Sequence, residues 1–200
     1  MPLLRFLNGH ILDVSFYLRG AILLVLLFLQ IRKSKIIKTQ ARELFFYTLG
    51  IFFVYLAYVS ILQYKSFSEG PLLSVINIQS GFTWFLSYIR LHYWDEYIFS
   101  LIGALLFYLA GKYLNDAKDE RFFEKEEIWL GMLGIFIVGY PAWFFYIALM
   151  LVVPALLSLV FLKNNERLPL YYFWIPTALF VILIVHYLLE GFAWWGKFII

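Results

Sequence analysis

Charged and apolar residues fall along this chain in long blocks, not in the short alternations of a soluble fold. The longest apolar block is Ile128–Leu162, 35 residues without a charge, led in by Glu124, Lys125, Glu126 and Glu127. As a single helix it would measure about 50 Å at ~1.5 Å per residue, well beyond a hydrocarbon core of roughly 30 Å. Gly139-Tyr140-Pro141 interrupts it, and a Gly followed closely by a Pro is where a chain turns. Two membrane helices are therefore expected, over 128–140 and 142–162. Gly131 and Gly134 give the first of them a small face for close packing.

The same pattern predicts four further spans, over 14–31, 44–62, 97–112 and 168–189. Residues 71–89 are uncharged too, but they hold Ser74, Asn77, Gln79, Ser80 and Thr83, so this segment either spans, lies along the surface or re-enters. The basic residues choose between these options. Arg32, Lys33, Lys35, Lys38 and Arg42 crowd between the first two spans. If 71–89 does not span, the segments 32–43, 112–127 and 163–167 share one side and collect most of the Lys and Arg, as cytoplasmic loops do. The expected fold is thus all-α: a polytopic membrane bundle of six transmembrane helices, one interfacial or re-entrant segment over 71–89, and both termini outside.

Composition agrees. The chain is 64% hydrophobic and 14% charged, with a mean hydropathy of +0.82, against about 45–50% apolar and about 25% charged in soluble domains. A single membrane domain leaves no room for a sizeable soluble one, and the cell (cytoplasmic or inner) membrane, with its lipid as the first partner, is the expected location. A net charge of +3 carried beside the spans is a topology signal and does not indicate nucleic-acid binding. The absence of cysteine excludes disulfides, thiolate metal sites and Cys nucleophiles. Aromatic clusters at the predicted helix ends, such as Tyr171-Tyr172-Phe173-Trp174, read as interfacial belts. The tail 191–200, with Trp194 and Trp195, is expected to lie in the interface. The N-terminus has one basic residue, Arg5, and no small-residue cleavage site after its apolar run, so its first span is expected to be retained.

Candidate chemistry is sparse. Arg19, in the first turns of the first span, is expected to snorkel to the interface. His186 is the sole histidine within a span, and bis-His haem ligation needs two. His10, His92 and the scattered acids show no metal-ligand spacing, and no phosphate loop or nucleophile elbow is present, so no metal and no cofactor is expected. That leaves the carboxylates at the start of the fourth span. Glu124, Glu126 and Glu127 suit a helix N-terminus through the dipole alone; one of them facing the bundle, with a pKa raised by partial burial, would be a candidate catalytic acid or base.

From about 98 to 189 the order of features resembles the prepilin and preflagellin leader peptidases, the GxGD type of membrane aspartic peptidase. A helix and loop lead into Glu124-Lys125-Glu126-Glu127 and then Ile-Trp-Leu-Gly-Met-Leu-Gly. Gly139-Tyr140-Pro141 follows, and later a basic loop and the prolines Pro169 and Pro176. The resemblance implies Glu127, with Glu126, as catalytic residues and a pilin-like leader peptide as the substrate. The departures are also plain. Glu124 and Glu126 stand where the motif has glycines, Glu127 where it has Asp, and Tyr64 where the family's first aspartate would be. Asp95 and Glu96 fall on the outer side in the expected topology. An aspartic peptidase needs two carboxyls sharing a proton, so the implied protein is a degenerate relative that binds peptide or protein. The alternative is a non-catalytic accessory or structural subunit packed against other membrane subunits.

Overall fold

A computed structural model describes residues 2–68, 78–117, 123–161 and 170–189, and all of its regular structure is helical. Helix α1 (Pro2–Arg32) leads through the short α2 (Ser34–Thr39) into α3 (Ala41–Ser68). Helix α4 (Ile78–Ile89) continues through a π-helical turn, Arg90–Trp94, into α5 (Asp95–Ala117). After α6 (Lys125–Val138) and α7 (Trp143–Phe161), a 3₁₀ turn at Leu170–Tyr172 opens α8 (Trp174–Ile184), and Val185–Leu189 ends it as a second π turn.

Four helical stretches among the described residues are long and apolar enough to cross a membrane: Val14–Arg32, Ala41–Ser68, Phe82–Ala117 and Leu170–Leu189. Six were expected. The difference lies in α6, which has only 14 residues, and in α7, whose apolar stretch Trp143–Ser158 is also shorter. The segment expected to stand apart over 71–89 is, from Ile78 onward, one continuous helical run with α5. Its polar residues and the Asp95-Glu96 pair had hidden that continuity, because helix geometry tolerates isolated polar positions that hydropathy scores as breaks. Residues 71–77 and the tail 191–200 lie outside the described residues.

Helix α6 is the centre. From Glu127 to Val138 every residue except Trp129 is buried, and the helix is apolar all round, which suits an element surrounded by others. It packs against α3, α5, α7 and α8. Gly134 lets Tyr146 of α7 lie across it; a Cβ there would collide with the Tyr146 hydroxyl, which donates to the Trp174 carbonyl at 3.1 Å. Gly139, at φ +86°, ends α6 in a conformation that L side chains rarely adopt, and a cis Tyr140–Pro141 bond follows. The outer helices bury one side only. Tyr47, Val54, Tyr58 and Ile61 on α3 and Leu151, Val152 and Leu156 on α7 stay exposed, an apolar rim far larger than soluble surfaces carry and one that lipid would cover.

Candidate functional site

The first turn of α6 carries the predicted site residues. Glu124 occupies the N-cap in an extended conformation, and its backbone N–H donates to Glu127 Oε2 at 3.1 Å, the return half of a capping box. Glu127 Oε1 accepts from the backbone N–H of Tyr171 at 2.8 Å. The side chain, 3% exposed, therefore joins the start of α6 to the turn that opens α8. Burial pushes its carboxyl above the ordinary carboxylate range, while the two backbone N–H groups pull the other way.

Tyr171 extends the junction. Its carbonyl accepts from Gln30 Nε2 at 2.6 Å, its hydroxyl donates to the Ser34 carbonyl at 3.2 Å, and Lys38 Nζ stands 4.8 Å from its ring centre. Lys38 also lies 3.6 Å from Glu124 Oε2 and 4.0 Å from Glu126 Oε1. Helices α1, α2, α6 and α8 thus converge on one knot of hydrogen bonds and charge. Glu126 faces Lys38 at its edge and Glu127 faces inward, as adjacent positions on a helix do not face each other. The two carboxyls are therefore not set up to share a proton. Asp116 is exposed on the last turns of α5, and Asp119 and Glu120 lie outside the described residues.

A second polar cluster, at the other end of α6, is one that sequence reasoning missed. Arg19, five residues into the apolar stretch Val14–Arg32, is 8% exposed and turned into the bundle. Its Nη2 donates to Glu96 Oε1 at 2.6 Å, its Nη1 donates to the Val138 carbonyl at 3.2 Å, and its guanidinium lies 4.9 Å from the centre of the Tyr97 ring. Glu96, 37% exposed, thus joins α5 to α1. The Tyr97 and Ser15 hydroxyls share a hydrogen bond of 2.7 Å, and Tyr140 N–H donates to Ser100 Oγ at 2.8 Å. The available signal was a partial one: Arg19 lies within an apolar block and needs a partner, but Asp95 and Glu96 stand side by side and the sequence does not choose between them.

His186 stacks on Phe16 with ring centres 3.8 Å apart, and His92 stacks on Tyr88 at 4.2 Å. Among the described residues no three His, Asp or Glu side chains gather where they could hold a metal ion. No family model matches the chain, and no curated protein or solved structure matches it either.

Proposed function

We propose that the protein is a non-catalytic helical subunit or scaffold of the cell membrane. Four stretches cross, the basic segments 32–43, 112–127 and 163–167 face the cytoplasm, and both termini lie outside. The observation that carries the non-catalytic reading is the occupancy of Glu127. Both of its oxygens accept backbone N–H groups, so the one buried carboxyl of the candidate site is spent on fastening α6 to α8. Its partners are then lipid and other membrane subunits, met through the apolar rim of α3 and α7.

A degenerate leader-peptidase relative is the second reading. It is favoured by one observation, a buried carboxyl at the start of an apolar helix with its protonated form favoured, which is what a general acid requires. Against it stands that, among the described residues, both Glu127 oxygens are bonded to backbone N–H groups and not to a second carboxyl. Cleavage of pilin-like leader peptides by purified protein in liposomes, beside a Glu126→Gln, Glu127→Gln double variant, separates the two. The scaffold reading expects no cleavage by either; cleavage by the native chain that disappears in the variant contradicts it.

A further inference from the structure

Helix α6 has 14 residues, about 20 Å at 1.5 Å per residue, and a hydrocarbon core is roughly 30 Å thick. Its lower end is set by Lys38, which reaches Glu124 and Glu126 from within the basic segment. Its upper end is set by Arg19 on the Val138 carbonyl and by Ser100 on the Tyr140 amide. At that level the apolar stretches of the flanking helices are not yet finished. The apolar stretch of α1 continues from Arg19 back to Val14, about 8 Å further. The apolar stretch of the α4–α5 run continues from Glu96 back to Phe82, about 21 Å. In α3, Phe52 touches the Tyr97 ring at 5.2 Å, and the helix goes on to Ser68, about 24 Å. Helix α7 then returns along α6, since the Tyr146 hydroxyl lies over Gly134 and bonds the Trp174 carbonyl.

We propose that α6 and α7 form a re-entrant hairpin that enters from the cytoplasmic side and turns back at 139–142 inside the membrane. The Arg19–Glu96 pair is the latch that holds its apex. In hydrocarbon the last carbonyls of a helix have no water to accept from, so a helix that ends there needs a protein donor. Arg19 supplies one, and its positive charge complements the negative end of the α6 dipole. Glu96 neutralises Arg19. Gly139 is required at the contact because a Cβ would run into the Arg19 guanidinium and the Glu96 carboxyl. The pair thus joins three elements, α1, α5 and the α6 terminus, at a depth where each charge alone is costly. Breaking it frees the apex without touching the cytoplasmic junction at Glu127, so the two ends of α6 are fastened independently.

The hairpin rests on the four-crossing reading, and the test separates the two. The chain contains no cysteine, so single cysteines can be placed in the full-length protein and probed in sealed vesicles with a membrane-impermeant maleimide. Ser68→Cys, at the far end of α3, is expected to react from outside, and Lys35→Cys only after permeabilisation. Tyr140→Cys is expected to react at least about tenfold more slowly than either in both conditions, as for a site within the hydrocarbon. A nitroxide on the same cysteine is expected to collide more with oxygen than with a water-soluble nickel chelate. Adding Glu96→Gln is expected to raise the mobility of that nitroxide. Labelling of Tyr140→Cys from outside as fast as Ser68→Cys overturns the hairpin, since the turn then reaches the outer surface. Unchanged nitroxide mobility in Glu96→Gln overturns the latch. Ser68→Cys and Lys35→Cys reacting from the same side overturns the four-crossing reading and the hairpin with it. Phe144→Cys, on a side chain exposed at the start of α7, serves the same comparison if Tyr140→Cys does not fold.

Discussion

The two buried charges of this protein that matter most are stabilised by different means. Glu127 is held by backbone N–H groups, Arg19 by a carboxylate and a carbonyl. For Glu127 the direction of its pKa has a consequence. Burial raises the folded-state value above the ordinary 4.5, so the fold favours the protonated carboxyl. Its contribution to stability is full below the ordinary value and is lost as pH rises through the raised one. The thermal midpoint of the native protein in detergent should therefore fall over that window, and the Glu127→Gln variant should show a flatter profile; parallel profiles would contradict this. For Arg19 the partner carboxylate is 37% exposed, so removing it costs less than the roughly 3–5 kcal/mol of a fully buried pair, whereas replacing both partners with apolar side chains is often neutral. Arg19→Met is expected to lower the thermal midpoint, and Glu96→Leu in the same chain to restore much of the loss. Neither the knot at Glu127 nor the pair at Arg19 was legible as a contact. Glu127 and Tyr171 lie 44 positions apart and Arg19 and Glu96 lie 77 apart, and spacing carries no signal over such distances. That Glu127 would be the buried member of its group was open to reasoning only as one of several carboxylates at a helix start.

The helices themselves were far more legible. Gly139-Tyr140-Pro141 marked the break between α6 and α7, because a positive φ and a proline are both hostile to a continuing helix. The long uncharged blocks marked α3, α7 and α8. What the pattern hid was how far elements extend. Helix α1 runs well past Val14, and α4 joins α5 through Arg90–Trp94, since a helix that leaves the hydrocarbon no longer needs to be apolar. The close approach of α7 to α6 depends on Gly134. Gly134→Leu should displace Tyr146, break its hydrogen bond to Trp174 and cost about 1–3 kcal/mol as overpacking, read as a lowered midpoint. Gly20→Leu, where a Cβ meets nothing within 4 Å, should change it far less. Equal effects would mean that α6 and α7 do not pack as described.

At the scale of the molecule, α6 is an apolar rod packed among α3, α5, α7 and α8, fastened below by Glu127 and above by Arg19. Composition made the membrane class plain, because no soluble fold covers this much apolar surface. The central, half-length place of α6 was not legible, as an uncharged block reads the same whether lipid or protein surrounds it. If α6 is the common core, its two fastenings act on one cooperative unit. The decisive measurement is thermal unfolding in detergent, followed by tryptophan fluorescence, of Glu127→Gln, Arg19→Met and the double variant. The expected result is a single transition throughout, lowered by each substitution and lowered by roughly the sum in the double variant, since the two sites share no partner. A transition split in two, or a midpoint that either substitution leaves unmoved, would contradict a bundle built around α6.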